Sequence, residues 1–346
     1  MVLRLLKEDM MPSFYWKTWA GRIIVINFVL FAWLSYQSKD ILSPSLDYII
    51  ALGAKEPVLI AKGAWWRLVF PLFLHVGFIH FILNNLALRT LGRVLEPLLA
   101  KSFLFIYIGG GIAANIASSY RSLVVGAGAS GAIFALVGVG WVFEWYFLTV
   151  RKEYPFSLLK RVLYYLRSPF SFVVFLNFAL TFLFNLGSTH WDLAIMIDND
   201  AHLGGLVFGV FCGLGLLLSR YKRWHFSLFA AISALLLVIS AWPLVSGSHI
   251  KNLFLSKAKN TENSYEQFYY LSKALEIDSE DLHALVARAS IAALHSEVAL
   301  AVSDLMKIKD KKVRELAFVQ LKSTLLAKSK LAELSALERI FLSLEK

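Results

Sequence analysis

The chain has 346 residues, 58% of them hydrophobic, 17% charged and 14% aromatic. Soluble domains average about 45–50% apolar and 25% charged residues, so this composition is that of a membrane protein. Of the formal charge of +11, +9 falls on residues 1–250 and +2 on residues 251–346. The positive excess therefore sits in loops between apolar runs, and nucleic-acid binding is not indicated.

Residues 1–22 mix basic with acidic side chains and lack an apolar core ending in small residues, so they read as a retained cytoplasmic segment rather than a cleaved signal. Seven apolar runs follow, near residues 23–36, 68–88, 104–117, 126–149, 169–187, 201–219 and 226–245. Basic residues mark alternate connections: Arg4, Lys7, Lys17 and Arg22; then Arg89, Arg93 and Lys101; then Arg151, Lys152, Lys160, Arg161 and Arg167; then Arg220, Lys222 and Arg223. The intervening 188–200 segment carries Asp192, Asp198 and Asp200 with no Lys or Arg. This alternation predicts a cytoplasmic N-terminus, with the 37–67 loop and everything after about residue 248 on the opposite side. The 37–67 loop is long and holds Trp65 and Trp66, which suggests a folded loop at the interface. The single cysteine, Cys212, lies in an apolar run; one thiol makes neither a disulfide nor a cysteine metal site within the chain.

Ionisable and amide groups within a span are costly, and each is a functional candidate. The second run holds His75, His80, Asn84 and Asn85; His80 and Asn84 are four apart and share a helix face, whereas His75 points elsewhere or precedes the helix. The fourth run opens as Gly126-Ala-Gly128-Ala-Ser130-Gly131, where glycines leave the hydroxyl open to a substrate backbone and a helix start would aim free N–H groups at it. The sixth run opens with Ala201-His202 and continues through Gly205 and Gly209, a small-xxx-small notch matched by Gly131 and Ala135. Joining the two notches would bring His202 toward Ser130, and the predicted topology places Ser130, His202, His80 and Asn84 at similar depth below the outer face. Taken singly, each is also what an interhelical hydrogen-bond network would contain.

This set suits acyl transfer. Ser130 would attack a carbonyl, and His202 would take its proton and return it to the leaving amine. No aspartate lies within a span to orient the imidazole, so the expectation is a dyad, with Phe134 stacking on the ring one turn after Ser130. Candidate oxyanion donors are the Ser130 N–H, Asn84 and His80. There is no HExxH zinc motif, no aspartate pair within the spans and no phosphate loop after a strand, so no metal or other cofactor is expected.

His75-x4-His80-x3-Asn84, Gly128-Ala-Ser130-Gly131 and Ala201-His202-x2-Gly205-x3-Gly209 together resemble the signature of the rhomboid intramembrane serine proteases, over roughly residues 15–220. Trp66-Arg67 is similar to that family's loop motif. The resemblance implies an all-α polytopic protein with a six-helix core, Ser130 as nucleophile, His202 as base, His80 and Asn84 at the oxyanion, and His75 in a structural role. It also implies single-pass membrane proteins as substrates, cut in or near the spanning segment. Two positions depart from the family pattern. Phe134 stands where relatives often carry Tyr, and Glu96 lacks an arginine two residues later.

The expected organisation is thus an N-terminal segment (1–22), a catalytic core (23–220), a seventh transmembrane helix (221–248) and a soluble helical domain (249–346). In that last domain, residues 271–285 read as a helix, a turn at Asp278/Ser279 supplying an N-cap, and a second helix; further helices are expected near 297–308, 313–328 and 331–344. The 274–285 stretch is similar to a tetratricopeptide junction, and a repeat-like domain or a plain helical bundle both fit. Such a domain suits presenting substrates or docking a protein partner, and a purely stabilising appendage fits equally well. The expected setting is a bacterial inner membrane. Non-catalytic binding of transmembrane clients on the same scaffold is the alternative function.

Overall fold

The computed structural model describes residues 17–150, 157–187, 197–218 and 224–344. Expectations placed on residues 1–16 and on Arg151, Lys152, Asp192, Arg220, Lys222 and Arg223 lie outside them. The described residues are helical, with no strand among them. They divide into two units: one of residues 1–60 with 64–242, the other of residues 61–63 with 243–346.

In the first unit, α1 (Trp19–Ser38) starts at Thr18, whose side chain accepts from the Gly21 N–H. Glu96 closes the same helix end, its two oxygens accepting from the Trp19 N–H at 2.6 Å and the Ala20 N–H at 3.0 Å. Three of the four amides that a helix start leaves bare are thereby bonded, and a carboxylate sits at the positive end of the helix dipole. Glu96 thus has a structural partner here without the arginine of the family pattern.

The loop after α1 contains α2 (Leu46–Leu52), α3 (Pro57–Ala61) and two 3₁₀ turns, Trp65–Leu68 and Phe70–Phe73. The run expected as a span over 68–88 is therefore displaced: α4 covers Phe78–Leu99. Two features explain the shift. Residues 68–74 are apolar because Leu68, Leu72 and Leu74 are buried side chains of the folded loop, not because they belong to a spanning helix. At the other end, α4 runs on past its apolar part through Arg89, Arg93 and Glu96, which no hydropathy window would include.

Helices α5 (Ser102–Ser119), α6 (Ser130–Trp145, continued by a π turn over Tyr146–Val150), α7 (Leu158–Leu166), α8 (Pro169–Gly187), α9 (Asn199–Leu218) and α10 (Trp224–Val245) complete the first unit up to Trp242. The fourth span also starts later than expected, at Ser130 rather than Gly126. Residues 126–129 are held out of the helix by backbone bonds: Gly126 pairs with Lys55 in both directions at 2.9 Å, and the Gly128 N–H donates to Pro71 O at 2.9 Å. Helix α6 is the hub, packed against α4, α5, α8 and α9, with Ala132 through Gly140 buried.

Among the described residues, five helical stretches are long and apolar enough to cross a bilayer: Trp19–Ser38, Ser102–Ser119, Ser130–Leu148, Asn199–Leu218 and Ser227–Val245. Their outer faces suit lipid. Val25, Ile26, Phe28 and Val29 on α1, and Leu235, Leu236, Val238 and Ile239 on α10, are all exposed. An apolar surface of that extent is tolerated only against a membrane or a partner.

The second unit is a run of helices, α11 (Ser248–Asn260), α12 (Ser264–Ile277), α13 (Leu282–Leu294), α14 (Val298–Met306), α15 (Lys311–Ala327) and α16 (Leu331–Leu344), joined by three- or four-residue connections. The cap of α13 is Asp281, which accepts from the Ala284 N–H at 3.0 Å, and not Asp278/Ser279. Asp278 closes α12 instead, and it shares Lys251 with Asp281 at 2.8 and 2.9 Å. Alanines at 274, 284, 289, 292, 293 and 301 fill the core, so the helices lie close together. The fully buried Asp304 is matched there by a bidentate Arg288, at 2.7 and 2.8 Å.

Candidate active site

Ser130 is the first residue of α6, and His202 lies in the first turn of α9. Their side chains meet: His202 Nε2 is 2.8 Å from Ser130 Oγ. His202 is buried, whereas Ser130 keeps part of its surface open. A buried imidazole beside a reachable hydroxyl is an arrangement in which the hydroxyl can be deprotonated as it attacks.

The meeting follows from helix packing. A Cβ added at Gly205 would lie 2.0 Å from the Gly131 carbonyl oxygen, and one at Gly209 would lie 1.9 Å from that of Ala135. Backbone therefore touches backbone along this seam, as small-xxx-small spacing allows. The bare face of Gly131 itself points elsewhere, toward Ala114 of α5, where a Cβ would come within 2.3 Å. The glycine at 131 thus serves the α5–α6 contact, and α9 meets α6 through its own Gly205 and Gly209.

Phe134 lies face to face with His202, with ring centroids 4.4 Å apart and planes 2° from parallel. No carboxylate orients the ring, since His202 Nδ1 is buried without a hydrogen-bond partner among the described residues. Its plane is set by Phe134 and its reach by the α6–α9 seam.

His80, in the first turn of α4, borders the serine from the other side. A Cβ at Gly128 would lie 2.6 Å from His80 Cε1 and 3.7 Å from Ser130 Oγ, and Gly128 has φ 148°, a backbone state that favours glycine. Asn84 follows one turn along α4 and is buried, with Nδ2 unpartnered among the described residues; His80 Nδ1 is likewise unpartnered. Buried donors are seldom left bare, so these are groups with bonding capacity to spare. His75, fully buried, packs edge-on against His80 at 5.4 Å and Phe81 at 5.5 Å, and so backs the His80 ring.

Trp66 and Arg67 do not join this cluster by any hydrogen bond described. Trp66 is exposed, and Arg67 donates to the carbonyls of Ile50 at 2.7 Å and Ala54 at 2.9 Å, bracing the loop. Two further contacts were not anticipated. Asn27 on α1 donates to Asn85 Oδ1 on α4 at 3.0 Å inside the core. Asp198 caps α9, its Oδ1 accepting from the Ala201 N–H at 2.9 Å. Burial pushes the Asp198 carboxyl up, but the nearby Lys55 ammonium, the Ser118 hydroxyl and the Ala201 N–H outweigh it and hold the carboxyl below its ordinary value. The cap was readable in principle, because an aspartate just before an apolar helix is an N-cap signal. Among the described residues, no group of three or more His, Cys, Asp or Glu is placed to hold a metal ion.

Comparison with known proteins agrees with this picture. Residues 62–220 match the Rhomboid domain family. The chain carries a rhomboid domain over these residues. It is similar to rhomboid protease GluP of Bacillus subtilis, at 32% identity over 231 residues, covering 65% of this chain and 41% of that protein. It is similar to the putative rhomboid protease YdcA of the same organism, at 43% over 83 residues, covering 23% and 42%. It is also similar to rhomboid-like protease 2 of Toxoplasma gondii, at 31% over 206 residues, covering 56% and 65%. The chain thus spans about two fifths of each Bacillus relative and under two thirds of the third. With its rhomboid domain and apolar helices, this chain is an integral, multi-pass membrane protein.

Proposed function

We propose that this rhomboid is a serine endopeptidase that hydrolyses peptide bonds in or near the transmembrane segments of other membrane proteins. The observation that carries the reading is the 2.8 Å contact between Ser130 Oγ and His202 Nε2. With the imidazole proton on Nδ1, Nε2 accepts the hydroxyl proton as Oγ bonds to the scissile carbonyl carbon. The tetrahedral oxyanion is met by the Ser130 N–H at the start of α6, by Asn84, whose Nδ2 is bare before substrate arrives, and by His80, whose Nε2 edge faces Gly128 beside the serine. As the C–N bond breaks, His202 returns its proton to the leaving amine and Ser130 is left acylated. A water, deprotonated by His202, then attacks the ester; the acyl C–Oγ bond breaks, His202 returns that proton to Ser130 Oγ, and the second fragment leaves as a carboxylic acid. Phe134 holds the ring through both halves, and no metal or cofactor enters.

In this reading α1, α4, α5, α6, α8 and α9 are the six-helix core and α10 is a seventh span. The N-terminus lies in the cytoplasm of a bacterial cell, with α11 to α16 across the membrane as a repeat-like platform for a protein partner. The substrate is an unwound stretch of a single-pass helix, because the carbonyls of an intact helix are bonded within it and an extended backbone is what offers one to Ser130.

The test is covalent labelling by an alkyl fluorophosphonate of the purified chain in proteoliposomes. Labelling at Ser130 that is lost in both Ser130→Ala and His202→Ala is expected. A folded wild type that stays unlabelled overturns the proposal and leaves a non-catalytic scaffold for membrane clients.

A further inference from the structure

Ser130 and His202 sit on helices that enter from separate stretches of chain, 126–129 and 197–198. Their 2.8 Å contact holds only if those two stretches keep register. One side chain touches both. Lys55, in the loop between α1 and α4, is 1% exposed. Its backbone exchanges two hydrogen bonds with Gly126, the start of the arm that leads into Ser130. Its stem crosses that glycine so closely that a Cβ there would lie 2.9 Å from Lys55 Cε. Its ammonium donates to Ser118 at the end of α5 and to Asp198 Oδ2 at 3.3 Å, and Ser118 also donates to Asp198. Asp198 in turn caps α9, with its backbone oxygen accepting from the His202 N–H at 3.1 Å.

The energetics argue against a purely stabilising role. Burying an ammonium is costly, and one partly exposed carboxylate returns little of that cost, so an apolar side chain of the same length would serve packing as well. What such a side chain lacks is direction.

The geometry points to Lys55 as a positioning residue for the reaction proposed above, tying the serine arm to the cap of the histidine helix through Ser118 and Asp198. It touches neither substrate nor the reacting atoms. The inference rests on the protease reading, since it concerns how that dyad is held.

The experiment measures fluorophosphonate labelling of Ser130 in proteoliposomes, separating the rate at saturation from the concentration giving half that rate, with Tm recorded alongside. Lys55→Met keeps the stem, so Tm and the half-saturating concentration stay near wild type while the saturated rate falls by about 10- to 100-fold, as small misplacements of reacting groups do. Lys55→Arg, which keeps a cation, recovers part of the rate. Asp198→Asn loses a similar factor, and the double variant is no slower than the slower single one. A saturated rate at the wild-type value in both single variants, or losses that multiply in the double variant, overturns the inference. Should Lys55→Met fail to fold, Asp198→Asn, made on a side chain 34% exposed, reads the same contact with the same two outcomes. A wild type that is never labelled removes the protease reading and this inference with it. A labelled wild type beside an unaffected Lys55→Met and Asp198→Asn removes the inference alone.

Discussion

Phe134 and His202 lie ring on ring, 4.4 Å apart and 2° from parallel, so the plane of the imidazole beside Ser130 is set by an apolar neighbour rather than a carboxylate. Aromatic pairs of this kind contribute about 0.5–1.5 kcal/mol beyond the area they bury, which corresponds to roughly two- to tenfold in rate. Phe134→Leu, which keeps most of the volume, is expected to slow Ser130 labelling by that factor, with the reagent's half-saturation unmoved. Phe134→Tyr, which keeps the ring, should hold the wild-type rate. Equal rates in Phe134→Leu and wild type would show that stacking does not orient the base.

The seam between α6 and α9 leaves no room for a methyl. At Gly209 an added Cβ would meet the Ala135 carbonyl oxygen at 1.9 Å, and backbone cannot yield as a side chain would. Overpacking of this sort costs about 1–3 kcal/mol. Gly209→Ala should therefore lower the Tm in detergent and slow labelling of Ser130 together, because α9 must move away from α6. A variant with unchanged Tm would mean that the two helices are further apart than described.

If Ser130 and His202 act as one unit, their losses do not add. Ser130→Ala, His202→Ala and the double variant should leave the same residual cleavage of a single-span membrane substrate, as in other hydroxyl–imidazole pairs. A double variant much slower than either single one would assign the two residues to separate steps.

The second unit carries its own pH dependence. Lys251 bonding lowers the Asp278 carboxyl. At Asp281, burial pushes the carboxyl up, but Lys251 and the Ala284 N–H outweigh it and the net shift is downward. Lys251 is raised by the same two partners. A carboxyl depressed by folding stabilises above its unfolded value, and that contribution is lost as pH falls through the folded value. Hydrogen exchange in α12 and α13 should therefore accelerate as pH drops from the ordinary aspartate value of 3.8 downward, beyond the intrinsic exchange trend. Lys251→Met should flatten the effect. The size is at most about 1 kcal/mol, because all three side chains keep part of their surface in water, which screens the bridge. Exchange in Lys251→Met that follows wild type across this range would show the bridge to be inert.

How much of this was legible in the chain differs from residue to residue. Spacing placed Gly205 and Gly209 on the His202 side of a helix, because helical periodicity is a local property that sequence expresses directly. The start of α4 was not legible. Residues 68–74 are as apolar as a span, and only the tertiary contacts that bury Leu72 and Leu74 distinguish a folded loop from a helix. The role of Gly131 was only half visible, since the notch could be read but not that its bare side faces Ala114. Lys55 gave no signal: a lysine in a loop reads as solvated, and its burial depends on Ser118 and Asp198, 63 and 143 residues away.

The most direct measurement compares membrane-protein fragments released by cells expressing the wild type, Ser130→Ala or His202→Ala at matched levels, with new termini mapped by mass spectrometry. The account predicts a set of termini in or beside single-pass segments that is present with the wild type and missing from both variants. The same termini in all three would contradict it.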